Sequence, residues 1–160
     1  MHIRVSARAI VIHDGHILLN CFGNGVYFNF PGGGLEPGEC APEAVVREVL
    51  EESGLHVQTE HLVFTLEYEP ARCDNFHGSQ HGMSLFFRCK LLGSAEITAP
   101  LIPDQNPDDP SLQSHAKWVA ISDLPQTPFV PDTILEPLLK YIDTGVFEPS
   151  YFEHYNPQMR

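Results

Sequence analysis

Arg47, Glu48, Glu51 and Glu52 form a short run of one base and three acids, and Glu39 precedes them by eight positions. On an α-helix each residue advances by about 100°, so positions i, i+3 and i+4 fall on one face and the three carboxylates would converge. Like charges at these spacings destabilise an isolated helix by about 0.2–0.5 kcal/mol per pair. Gathering them needs a reason beyond folding, and a bound cation supplies one. Carboxylates are hard oxygen ligands suited to Mg²⁺ or Mn²⁺, and Mg²⁺ commonly uses one or two of them together with waters and substrate phosphate oxygens. A surplus acid is then available to orient or deprotonate water. The competing reading is a solvated acidic helix face.

The elements that must position these groups are legible around them. Pro42 suits a first helical turn, where its missing N–H costs nothing, and Gly54 suits a C-terminal stop. Ala44, Val45, Val49 and Leu55 give an apolar stripe to lay on a sheet. Upstream, Pro31-Gly32-Gly33-Gly34 reads as a glycine-rich turn that lets backbone approach a metal or phosphate closely, because glycine has no side chain to obstruct it. Written out, residues 33–55 carry G-x5-E-x7-R-E-U-x-E-E-x-G-U, where U is aliphatic.

This pattern resembles the signature of the Nudix hydrolases at every position, and from average residue usage it should recur by chance in about one unrelated chain in a million. The resemblance implies that Glu48, Glu51 and Glu52 coordinate the metal with a backbone carbonyl of the glycine turn, at Gly32. It implies that Arg47 ties helix to loop, with Gly33 and Glu39 in support. A planar guanidinium can bind carboxylate bidentately, which makes that role for Arg47 physically sensible. The implied activity is metal-dependent hydrolysis of a phosphoanhydride bond in a nucleoside diphosphate linked to another moiety X. The implied catalytic set is Arg47, Glu48, Glu51 and Glu52.

At 160 residues the chain is long enough for one domain with a real core, so residues 1–160 are expected to form a single domain. No apolar run approaches the roughly 20 residues of a membrane span, and no membrane partner is expected. The N-terminal alternation reads as a strand rather than a targeting segment. Cys21, Cys40, Cys73 and Cys89 lack metal-binding spacing and fit reduced thiols of a cytoplasmic protein, although sequence leaves a bridge open. A formal net charge of −12 repels a long nucleic acid, whereas a small nucleotide neutralised by a dication is compatible with it.

Periodicity and turn residues predict strands at residues 3–12, 17–22, 27–30, 57–69, 83–92 and 115–121, with helices over the signature and at about 132–142. The fold class is α/β. The resemblance specifies a Nudix-type α/β/α sandwich with a mixed β-sheet. Residues 100–110, rich in proline and aspartate, form a loop in which Asp104, Asp108 and Asp109 either add an acid to the site or are simply solvated. The aromatic tail, residues 147–160, holds Phe147, Tyr151, Phe152 and Tyr155, which would pack on the domain or on a second subunit of a homodimer.

Substrate identity is less legible. Pro70 lies fifteen residues after Leu55, where the proline of ADP-ribose pyrophosphatases falls in this family, but a proline at a strand end is also ordinary punctuation. His115 replaces a glutamate that many relatives carry three residues before the late tryptophan, here Trp118, and Asn20-Cys21 stands where many have an arginine. Phosphate contacts would then pass to Arg4, Arg8 or Arg72, with His115 able to polarise phosphate. Tyr27, Phe28, Phe22 and Phe76 could stack on a base or belong to the core. A house-cleaning nucleoside triphosphatase and a non-catalytic nucleotide sensor are the competing functions.

Overall fold

The computed structural model describes residues 2–72, 78–104 and 114–146, together with the backbone of residues 150–153. Strand β1, Arg4–His13, is the organising element. Alternation along a strand sends successive side chains to opposite faces. Ala7, Ala9 and Val11 accordingly enter one apolar cluster and Ile10 enters another. Strand β2, Ile17 and Leu19 on one side and Leu18 on the other, divides in the same way over His16–Phe22.

The remaining strands are β3 (Tyr27–Asn29), β4 (Gly32–Gly34), β5 (Val57–Tyr68), β6 (Gly82–Leu91), β7 (Ser114–Ala120) and β8 (Ser150–Glu153). The main path of the sheet runs β3-β2-β1-β6-β5-β8, with β4 paired to β1 and β7 to β2. β1 and β6 are parallel, as are β5 and β8, while β5 and β6 are antiparallel. The sheet is therefore mixed. Helix α1, Ala41–Ser53, buries Ala44, Val45 and Val49 against the first cluster. Helix α2, Leu135–Thr144, buries Leu138 in the second. Helices on the two faces complete the α/β/α sandwich expected from the sequence.

Three local differences from the sequence reading have physical causes. Gly32–Gly34 is a strand rather than a free turn, in register with β1 through Ser6↔Gly34, Ala7↔Gly33 and Arg8↔Gly32. Glycine permits this close approach: Gly32 has φ +135°, and a Cβ there would collide with the Ala7 carbonyl oxygen. The second helix opens with a single 3₁₀ turn, Asp132–Ile134, before α2. Pro137 then falls in the first turn of α2, where its missing donor is tolerated. Finally, part of the aromatic tail supplies β8, a strand that lengthens the sheet at β5.

Candidate active site

α1 starts and stops as its sequence requires. The Glu43 carboxylate accepts from the Cys40 N–H at 2.7 Å, which satisfies one of the exposed donors of the first turn. Gly54 takes φ +75° and donates its N–H to the Leu50 carbonyl at 2.8 Å. With its apolar stripe pinned to the sheet, α1 turns Arg47 and the signature glutamates toward β4 and the N-terminal half of β1.

Arg47 is the hub. Its Nε and one terminal nitrogen bind the Glu39 carboxylate at 3.1 and 2.8 Å, and the same terminal nitrogen donates to the Gly34 carbonyl at 3.2 Å. The other terminal nitrogen reaches Glu48 at 2.9 Å and Glu51 at 3.3 Å. One planar cation thus joins the loop before α1, strand β4 and two acids of α1. Bidentate pairing holds the Glu39 carboxyl below its ordinary range.

Glu48 and Glu52 are shifted the opposite way. Burial pushes the Glu48 carboxyl up, against the opposing pull of Arg47. Glu52 is raised to about 8, mainly by burial, although Asn20, Arg8 and the Gly32 N–H all favour its charged form. The Gly32 N–H donates to Glu52 at 2.8 Å. Removing a carboxylate from water disfavours its anion unless a positive charge compensates.

Glycine again shapes the site. A Cβ on Gly33 would occupy the space of the Glu48 carboxylate. The Gly32 carbonyl, a metal ligand in the sequence reading, accepts from the Arg8 guanidinium, which also reaches the Phe30 carbonyl at 3.2 Å. A carbonyl has two lone pairs, so this bond leaves one.

Two cavities flank these groups. The larger, about 670 Å³, is walled by Arg4, Gly34, Arg47, Glu48, Glu51 and Gln80. The smaller, about 300 Å³, shares Arg4 and Gln80 with it and continues to Arg8, Asn29, Phe30 and Phe86.

The other candidates are not brought together. Phe28 is 8% exposed and belongs to the apolar cluster under α2, so it is a core residue rather than a base-stacking one. Tyr27 stacks on Phe22 with ring centroids 4.7 Å apart. Arg72 is the exposed last residue of a short 3₁₀ turn, and His115 is exposed on β7 opposite Cys21; neither lines either cavity. Asp104 accepts from Ser114 at 3.2 Å and lines neither cavity. Asp108, Asp109 and Phe76 lie outside the described residues. Sequence reasoning missed Asn29, Gln80 and Asn20 as site residues; only for Asn20 was there a signal, its place where relatives carry arginine.

A model of the NUDIX domain matches residues 2–137. The chain belongs to the NUDIX family. With the family comes its class of activity, pyrophosphate-bond hydrolysis, and a general dependence on divalent metal. Among solved structures, a NUDIX hydrolase from Nitrosomonas europaea is similar with a TM-score of 0.69 at 19% identity, over 96% of this chain and 79% of that one. An ADP-ribose pyrophosphatase from Streptococcus suis 89-1591 aligns with a TM-score of 0.63 at 21% identity, over 94% and 99%. A UDP-X diphosphatase aligns at 0.67 and 20% identity, over 95% and 68%. These likenesses show a shared fold. No curated protein sequence matches the chain.

The donor set suits a hard dication. Glu48 and Glu51 line the polar cavity together, and the burial that raises Glu48 is what a cation would offset. Among the described residues no three His, Cys, Asp or Glu side chains are gathered as a ready cage. Two carboxylates supplemented by waters and substrate oxygens is an ordinary arrangement for Mg²⁺.

Proposed function

We propose that this Nudix hydrolase cleaves the phosphoanhydride bond of a nucleoside diphosphate linked to a moiety X, with ADP-ribose or a nucleotide sugar as the substrate type. The observation that carries the reading is the adjacency of the two cavities, which share Arg4 and Gln80 in their walls. One cavity is lined by acids that would hold Mg²⁺ or Mn²⁺, and the other is an apolar-floored space beside it. The fold likeness to an ADP-ribose pyrophosphatase and a UDP-X diphosphatase supports the same substrate type.

Glu48, Glu51 and Glu52 are the metal ligands in this reading. A bound dication supplies positive charge against the phosphate oxygens and makes water more acidic. Arg47 holds Glu48 and Glu51 beside each other and anchors them to Gly34 and Glu39. Arg4, in the wall common to both cavities, is placed to meet a diphosphate spanning them. One of the signature glutamates accepts the proton of the attacking water. The formal charge of −12 supports a small, metal-neutralised nucleotide over a long nucleic acid. Among the described residues no helix is long and apolar enough to cross a membrane. We place the enzyme in the cytoplasm, acting as a single domain.

The test is a panel of nucleotide sugars, ADP-ribose, dinucleoside polyphosphates and nucleoside triphosphates with Mg²⁺ or Mn²⁺, with products resolved. A nucleoside monophosphate plus X-phosphate is the expected outcome. Pyrophosphate released from triphosphates in preference would overturn the substrate type, and tight binding without turnover would overturn catalysis itself.

A further inference from the structure

Arg4 and Gln80, the residues that both cavities share, are each tied to His81. Gln80 precedes it in the chain. The Arg4 N–H donates to the His81 carbonyl at 2.9 Å, beside the Arg4↔Gly82 pair that begins the parallel β1–β6 ladder. His81 itself lines neither cavity.

The β5–β6 register explains where its side chain goes. Glu67 pairs with Met83 and Tyr68 with Gly82, so in this antiparallel ladder His81 falls opposite Glu69 and diagonal to Glu67. Tyr68 and Gly82 line the smaller cavity, and alternation sends Glu67, Glu69 and His81 to the other face of the sheet. There the imidazole is gripped. Its Nε2 lies 2.6 Å from a Glu67 carboxylate oxygen, a short hydrogen bond of the strong kind that a charged acceptor allows. Its Nδ1 lies 3.0 Å from Glu69, without the alignment of a hydrogen bond, so Glu67 is the principal tie.

Exposure changes abruptly along the approach to β6. Gly78, Ser79 and Gln80 are exposed, whereas the side chain of His81 is 14% exposed. A second tie lies three residues back, where the Tyr68 hydroxyl donates to the Gly78 carbonyl at 2.8 Å. Gln80 therefore sits on a short exposed span held at both ends by side chains of β5. A ligand that must order a loose span spends binding energy on doing so, and a span already held spares that loss.

We propose that His81 is a positioning residue. Clamped to Glu67, it fixes Gln80 and the start of β1 at Arg4, and so sets the wall against which the diphosphate lies. The proposal rests on the substrate reading above and adds to it a residue that touches no substrate.

Two measurements on the full chain test it, and the first needs no ligand. Amide hydrogen exchange followed by NMR should show the Arg4 N–H exchanging about tenfold faster in His81→Leu than in the wild type, with the Val45 and Val49 N–H groups of α1 unchanged. His81→Gln, which keeps a side-chain N–H donor, should restore slow exchange. The second is calorimetric binding of two probes, ADP with Mg²⁺, which presents a diphosphate, and Mn²⁺ alone. His81→Leu should weaken ADP about tenfold and His81→Gln less than about twofold. Mn²⁺ affinity should stay within about twofold in both, because the acids of α1 are not tied to His81, whereas a general loosening of the fold would weaken both probes. Unchanged Arg4 exchange or unchanged ADP affinity in His81→Leu, a parallel loss of Mn²⁺ and ADP, or a defect that His81→Gln does not relieve would overturn the positioning role. A wild-type chain that binds neither probe sinks the substrate reading instead, and the exchange result then decides the clamp alone.

Discussion

Glu39 and Glu52 are the same residue type in the same signature, and the molecule treats them oppositely. Glu39, in the loop before α1, meets the fork of Arg47 and is held below the usual carboxylate range. Glu52, in the last turn of α1, packs beside Gly32 and Asn20, and desolvation pushes it up to about 8. At Glu39 the local charge wins; at Glu52 desolvation wins. One end of the signature is therefore internally neutralised and structural, and the other carries a charge deficit that a dication can make good.

The largest effect should come from the deficient end. Glu52→Gln is expected to lower kcat by about a hundredfold or more while far-UV circular dichroism stays that of the folded protein, since in the proposed reading the side chain serves the reaction, and it belongs to neither apolar cluster. Rates near wild type on the best substrate would erase the functional side of the contrast.

The next effect is on stability in the absence of metal, and the two ends should differ in sign. Glu52 has a folded pKa above its ordinary 4.5, so its contribution is fully present below 4.5 and is lost as pH rises toward and through about 8. Glu39 has a folded pKa below 4.5, so its contribution is present above 4.5 and is lost as pH falls through the lowered value. In EDTA, urea denaturation should therefore show stability falling by about 2–5 kcal/mol between pH 5 and pH 8 from the Glu52 term, an upper range for an isolated buried group. Glu52→Gln should flatten that decline. Adding Mg²⁺ should reverse it in the wild type, because metal favours the charged carboxylate. A decline that persists unchanged in Glu52→Gln would assign it elsewhere.

The smallest effect sharpens the contrast. Arg47→Lys keeps a positive charge but loses the fork, so it should cost about 1–2 kcal/mol in stability and about tenfold in kcat, with KM changed less. Glu39→Gln should cost less than Arg47→Lys in both, because Arg47 retains Glu48, Glu51 and the Gly34 carbonyl. Equal losses would mean that Arg47 works chiefly through Glu39.

Much of this was legible in the residues, for reasons that differ by element. α1 is written in local chemistry: Pro42 at its start, Gly54 at its end, and an apolar stripe of Ala44, Val45 and Val49. The first hairpin follows from alternation around Asp14-Gly15, and the observed strands differ from the expected limits by only a residue. β4 was not legible, because three glycines have no side-chain pattern and pair only because β1 offers an edge. Phe28 could be placed on a face by parity, but whether that face was core or cavity depended on Leu138 and Phe129 arriving from far along the chain. Asn20 and Asn29 become neighbours only through the β2–β3 register.

The amino-acid order alone determined the family, the helix that carries the acids and the kind of ion they suit, because those follow from spacings within 23 consecutive residues, positions 33 to 55. Tertiary structure decided which acid is neutralised and which is strained toward its protonated form. It also decided which amide oxygens, those of Asn20 and Asn29, are buried without a hydrogen-bond partner. Those outcomes depend on burial and cross-strand register, and no local pattern encodes how much water the rest of the fold removes.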